Sequence, residues 1–281
     1  MGLRVALLAL AACVAACTLL IDTDGLTGDG VPMPSSSTDA AVDGHVDGAH
    51  EAGDASGGAP VDHPYVQAVL ADGPSLYYRL EEAIDGTAAD ATGNHPGMYL
   101  AGGVHGVEGA FPGSLALRLS RSGGIDPGDI FDFTGTVPFT LEAWFRPDGY
   151  DGVYRFLFHH NDERGPARQN YGLYVQSSDG LGFERYVDGA GRSIRVALPS
   201  SRQWHHIVAV YTGAVMRLHV DGQLVGTEND GRAARDKRSP LNVAYGYPDG
   251  DGALIGTVDE IAIYEKALEA DRIRAHFEAA R

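Results

Sequence analysis

The chain has 281 residues, with 38 acidic against 21 basic side chains and a formal net charge of −17. That length suits one large domain or two ordinary ones, and so acidic a balance excludes the phosphate-neutralising surface of a nucleic-acid binder. The 44 % apolar content is ordinary, the 38 Gly and 14 Pro point to turns over long helices, and only two cysteines exclude a disulfide-stapled scaffold.

Residues 1–17 come first. Arg4 is followed by an apolar run from Val5 to Ala16, too short for a finished membrane span and placed where a secretory signal belongs. It ends in Val14-Ala15-Ala16-Cys17, which resembles the lipobox of bacterial lipoproteins, whose cysteine is lipidated and becomes the mature N-terminus. Leu10-Ala11-Ala12-Cys13 fits the same pattern but leaves an apolar run of about half the usual length, so Cys17 is the expected lipidation site. Thr18 follows the cysteine, where an Asp would resemble an inner-membrane retention signal. The expected location is therefore the outer membrane or cell surface, with the lipid anchor as the only membrane contact.

Residues 18–64 hold nine acidic side chains and no Lys, Arg or aromatic residue. Such a segment buries too little apolar area to offset its chain entropy, and its like charges extend it, so a disordered tether is expected. Asp22-Thr23-Asp24-Gly25 lacks the third ligand and closing Glu of a calcium loop.

Residues 65–281 read as one all-β domain. Short apolar runs separated by Gly, Asp, Asn and Pro turns predict strands at 76–80, 115–119, 139–146, 154–159, 171–176 and 182–187. The series continues at 193–197, 204–211, 215–220, 241–245 and 256–264. Phe139, Leu141, Ala143 and Phe145 share one face by alternation, and Asp221-Gly222 supplies a two-residue hairpin turn. Short helices are expected at both ends, over 64–71 with Pro64 in its first turn, and around Ile273, Phe277 and Ala280.

Several stretches carry a family resemblance: residues 65–82 with Ala89-Asp90-Ala91-Thr92-Gly93-Asn94, Phe139 through Pro147, Trp204 through Tyr211, Leu218 through Gly222, and Gly256 through Tyr264 with Ala267-Leu268. Together they resemble laminin-G-like, concanavalin A-like lectin/glucanase domains. The resemblance implies a two-sheet antiparallel jelly-roll sandwich with short terminal helices. Glu269 departs from it, standing where the family offers a Ser or Thr cap.

The fold class includes glycoside hydrolases, so paired carboxylates matter. Alternation puts Asp259 with Ile261 and Ile263, and Glu260 opposite with Ala262 and Tyr264. The E-x-D-x-E spacing of laminarinase-like relatives is absent. His159-His160 and His205-His206 are strand neighbours, whose rings point apart, so neither pair is expected to chelate one ion.

The resemblance also implies one structural calcium ion, with Asp90, Asn94 and Asp259 as candidate ligands, though Asp90 and Asn94 are equally ordinary turn formers. Tyr150, Tyr154, Tyr171, Tyr174 and Tyr186 are candidate platforms for a ligand, against the alternative of core packing. The function expected is a surface-anchored, non-catalytic recognition module binding a glycan or an extracellular protein. A hydrolase with carboxylates converging from separate strands, and a structural envelope lipoprotein, are the alternatives.

Overall fold

The computed structural model describes residues 62–84, 86–161, 170–235, 239–246 and 252–281. The expected signal peptide with Cys17, and the tether up to residue 61, lie outside the described residues.

In chain order, α1 (Pro64–Ala71) leads into β1 (Leu76–Tyr78), β2 (Thr87–Ala88), β3 (Gly97–Leu100), β4 (Val104–Glu108), β5 (Leu115–Ser120) and β6 (Gly124–Asp126). Next come β7 (Phe139–Pro147), β8 (Arg155–Asn161), β9 (Asn170–Gln176), β10 (Gly180–Val187) and β11 (Ala190–Val196). The chain closes with β12 (His205–Tyr211), β13 (Val215–Val220), β14 (Gln223–Asn229), β15 (Leu241–Val243), β16 (Ile255–Tyr264) and α2 (Ala270–Ala279). The first sheet runs β14-β13-β12-β7-β16-β5-β4, with β1 also paired to β16; the second runs β11-β10-β9-β8-β15-β6-β3-β2. The architecture is the expected antiparallel two-sheet sandwich with helices near its ends.

Alternation builds the core. From β7 the side chains of Phe139, Leu141, Ala143 and Phe145 point between the sheets, and Ile207, Ala209 and Tyr211 of β12 do the same. The opposite face of these strands is also buried, because α1 and α2 cover it. There Trp144, Val208, Val210 and Tyr264 pack with Tyr65 and Val69 of α1 and Ile273 of α2. Burial on both faces explains why every residue of β12 is buried.

Local chemistry sets the ends of these elements. Pro64 opens α1 as predicted, and His63 Nδ1 accepts the Tyr65 amide at 3.2 Å. Glu269 caps α2 in an extended conformation with no side-chain hydrogen bond, as its departure from the family pattern implied. Asp221 and Gly222 hold φ of +51° and +74°, the paired positive angles that a tight hairpin needs. Leu80 stands at φ +60°, and β1 stops at Tyr78, short of the predicted residue 80. Strands β2, β3, β4 and β6 were not predicted; they have two to five residues, and β4 has no buried position to give a pattern.

One expectation fails for a clear reason. The β16–β7 register shifts between Asp259 and Ala262, and Glu260 sits at φ +50°. This β-bulge breaks the alternation. Asp259 pairs with Trp144 and so shares the helix-covered face, while Ile261 and Ile263 point into the core.

Candidate functional site

The helix-covered face carries three carboxylates, all with 0 % exposure: Glu142, Asp259 and Glu260. Glu142 accepts from Tyr65 Oη at 3.0 Å, Tyr264 Oη at 2.9 Å, His206 Nε2 at 2.8 Å and His276 Nδ1 at 3.0 Å. His276 Nε2 reaches on to Asp72 at 2.8 Å, so its ring lies between two carboxylates. Burial alone would push the Glu142 carboxyl up; the charge on His276 and the bonds from both imidazoles outweigh it and hold it well below the usual range. Burial opposes charge on His276 as well, and Glu142 and Asp72 overcome it, raising the imidazole.

Asp259 Oδ2 accepts the Ala110 amide at 2.8 Å and Ser114 Oγ at 3.1 Å, and Glu260 accepts Tyr77 Oη. Burial drives both carboxyls well above their ordinary range; repulsion from Glu81 adds to it at Asp259, and repulsion from Asp259 and Glu81 adds to it at Glu260. Sealed under helices and loops, these three groups brace the sheet and present no surface to a sugar.

The outer face of the second sheet is built differently. Gly172, Gly182 and Gly191 stand on it, and the missing side chains let aromatic rings lie across the backbone. A Cβ on Gly182 would come 2.2 Å from Tyr174 Cζ, and one on Gly191 would come 2.8 Å from Tyr186 Cζ. Phe156 and His159 stack at 4.0 Å beside Gly172. Tyr154 meets Tyr174 edge-on at 5.0 Å, continuing the row to the surface, where Tyr154 is 37 % exposed. Tyr154 Oη donates to Asp179 at 2.5 Å, and Arg195 Nε donates to Tyr174 Oη at 3.3 Å. The Asp179 bond, with burial adding to it, raises the Tyr154 phenol, which keeps its proton and remains a donor. Arg195 has half its side chain exposed and approaches Asp179 at 3.9 Å. An aromatic edge flanked by a guanidinium and a carboxylate can stack on a pyranose or furanose face and bond its hydroxyls.

The five tyrosines named from sequence therefore separate. Tyr154, Tyr174 and Tyr186 share the outer face of the second sheet. Tyr171 points into the core against Phe139, 5.0 Å away. Tyr150 donates to the Pro199 carbonyl at 2.6 Å and pins a loop.

The candidate calcium ligands bond to separate partners. Asp90 receives the amides of Tyr77, Thr92, Asn94 and His95 and the Thr92 hydroxyl. Burial would raise its pKa, and these bonds outweigh it and lower it. Both oxygens thus face hydrogen-bond donors of the chain, a poor setting for a cation. Asn94 bonds within the same turn, through Nδ2 to Thr92 Oγ1 at 3.2 Å.

A different group gathers metal-ligand atoms. Asp129, Asp132 and His160 bring one such atom each within 4.8 Å of the others, a group able to hold a metal ion. His160 Nε2 lies 3.0 Å from Asp132 Oδ1. The β6–β7 loop holds its two aspartates with Phe131 and Phe133 at φ +61° and +45°. Phe133 stacks on Phe139 at 4.4 Å, and Tyr171 Oη bonds the Phe131 carbonyl at 2.9 Å. His159 and His160 do point apart, as alternation requires, and His160 finds its partners on a distant loop. Asp129-x-x-Asp132 behind Pro127-Gly128 was the available sequence signal, but nothing local ties it to His160.

A family profile described as the concanavalin A-like lectin/glucanases superfamily, Laminin_G_3, matches residues 119–274, and the chain belongs to that family. No curated protein sequence matches it. Among solved structures it resembles domain 4 of AbnA, a GH43 extracellular arabinanase from Geobacillus stearothermophilus, in complex with arabinotriose. That match has 17 % identity and a TM-score of 0.57, over 74 % of this chain and 98 % of that one. A Trypanosoma rangeli sialidase mutant displaying trans-sialidase activity matches at 17 % identity and TM-score 0.56, over 76 % of this chain and 35 % of that one. The binding domain of Paraclostridial Mosquitocidal Protein 1 matches at 18 % identity and TM-score 0.52, over 67 % and 48 %. At such identities the likeness is one of fold, and the chain spans only part of the sialidase and toxin chains.

Proposed function

We propose that this chain is a surface-anchored recognition module that binds carbohydrate through the outer face of its second sheet. The observation that carries this reading is the cluster of Tyr154, Tyr174, Asp179 and Arg195, an aromatic row that reaches the surface between two charged hydrogen-bonding groups. The arabinanase domain, which shares the fold, was solved with a bound oligosaccharide. In this reading Cys17 carries the lipid and residues 18–64 form the acidic spacer, placing the domain at the outer membrane or cell surface. A glycan array probed with the full chain tests it: retention of at least one oligosaccharide is expected. Silence on the array with capture of an extracellular protein would replace the glycan by a protein partner.

A second reading rests on Asp129, Asp132 and His160. The resemblance implied calcium, which prefers oxygen ligands; an imidazole in the set favours a first-row transition ion. Added Mn²⁺, Zn²⁺ or Ni²⁺ is expected to raise the melting temperature, and His160→Ala to remove that rise.

A further inference from the structure

Three residues outside every site described so far stand in the order of a nucleophile, a base and an orienting acid. Ser200 Oγ lies 3.0 Å from His205 Nε2, and His205 Nδ1 lies 2.9 Å from Asp221 Oδ2. We propose that Ser200, His205 and Asp221 form an esterase-type site that cleaves small acyl esters.

The arrangement is held from several sides. Ser200 sits in the loop between β11 and β12. That loop is pinned before it by Tyr150 Oη on the Pro199 carbonyl and after it by the Arg202 amide on the Pro147 carbonyl, both at 2.6 Å. His205 opens β12, and its ring is packed, with 9 % residue exposure. Asp221 lies in the β13–β14 turn, and its other oxygen accepts the His206 amide at 3.0 Å. Three segments thus fix three groups, while Ser200 itself is exposed. This is the geometric requirement for an activated hydroxyl: nucleophile to base, and base to orienter, each within hydrogen-bond reach.

The remaining contacts set the resting state. Ser200 Oγ also meets Gln203 Oε1 at 2.9 Å, and His205 Nε2 lies 3.1 Å from the Ser200 carbonyl. A doubly protonated ring donates to that carbonyl and to Asp221. A neutral ring keeps Nδ1–H on Asp221 and turns the Nε2 lone pair toward Ser200 Oγ. The neutral ring is therefore the working form.

The chemistry balances with water as the only co-reactant. Ser200 Oγ bonds to the ester carbonyl carbon as its proton passes to His205 Nε2. The carbon–oxygen bond to the leaving group then breaks, and that oxygen takes the proton from His205. Water, deprotonated by the same nitrogen, attacks the acyl-serine; its collapse releases the carboxylic acid and returns the proton to Ser200. The loop is open and exposed, with the half-buried Trp204 beyond it, so the site suits a small acyl group such as acetyl on an exposed alcohol.

The test uses the full chain with a fluorophosphonate and with 4-nitrophenyl acetate. Peptide mass mapping is expected to place the phosphonyl group on Ser200, with fluoride released. Nitrophenolate release is expected to vanish in Ser200→Ala and to fall about 100-fold or more in His205→Gln. Ser200→Ala should keep the wild-type melting curve because Ser200 is exposed, while His205→Gln should stay folded with a lower melting temperature because it loses the bond to Asp221. The Asp221 bond outweighs partial burial and raises the His205 pKa above its ordinary 6.5, so the rate should rise with pH and level off only above the raised pKa. Asp221→Asn keeps a residue tolerant of positive φ and should move the inflection downward, which a purely structural role would not do. Adducts equal in wild type and Ser200→Ala, or hydrolysis indifferent to Ser200 in folded protein, would overturn the proposal and leave the triad a brace for the loop.

Discussion

The two outer faces of the sandwich use the same kinds of residue to opposite ends. On the first sheet, Glu142, His206, His276, Tyr65 and Tyr264 form a network with 0 % exposure at every member. On the second, tyrosines, Asp179 and Arg195 form a comparable network whose last members reach solvent. The difference is cover. Helices α1 and α2 lie on the first face and convert its polar groups into internal struts, which must satisfy one another because water cannot. On the second face the rings that lie across the glycines, Phe156, His159 and Tyr174, are buried as well, but Tyr154 and Arg195 carry the row out to solvent.

Glu142→Ala should have the largest effect and is the sharpest way to break the contrast. It leaves two tyrosine hydroxyls and two imidazoles without their shared acceptor, and a cost of about 3–5 kcal/mol is expected in denaturant unfolding. Gly182→Val acts on the other face. Its Cβ would enter the Tyr174 ring, and displacement of that ring should cost about 1–3 kcal/mol and weaken glycan binding as well.

The pH dependence should come mainly from the covered face. The His276 pKa is raised in the folded chain, so its contribution is fully present below the ordinary value of 6.5 and is lost as pH rises through the folded pKa. The Glu142 pKa is lowered, so its contribution is present above the ordinary 4.5 and is lost as pH falls through the folded pKa. Asp259 and Glu260 are raised in the folded chain, so their contribution is lost as pH climbs from their ordinary 3.8 and 4.5 toward the folded values. His276 and His205 add a further decline in melting temperature above 6.5, and His276→Gln should make that alkaline limb shallower. A limb unchanged in the variant would place the titrating group elsewhere.

The contrast between faces was partly legible in the sequence. Strict alternation in β7 and β12 exposed the core-facing residues, and Asp221-Gly222 exposed the hairpin. In Tyr171-Gly172-Leu173-Tyr174-Val175, parity already separates Tyr171, which is on the core side with Leu173 and Val175, from Tyr174. The sequence could not show where parity breaks. A register shift between Phe156 and Phe158 changes the phase of β8, and the bulge at Glu260 moves Asp259 to the helix side. Sites assembled from distant segments were also hidden, because Asp129 and Asp132 meet His160, and Asp221 meets His205, only through folding. Cover was the hardest feature to read, since nothing in the alternation of β7 shows that Glu142 and Trp144 lie beneath helices.

The most direct measurement is a calorimetric titration of an array-positive oligosaccharide into wild type and Tyr154→Ala, with melting curves for both. Removing this partly buried ring and its bond to Asp179 should cost about 1–3 kcal/mol of stability and leave the chain folded, yet weaken binding tenfold or more, about 1.4 kcal/mol. Equal affinity for wild type and variant, with both proteins folded, would contradict the assignment of the outer face of the second sheet as the carbohydrate-binding surface.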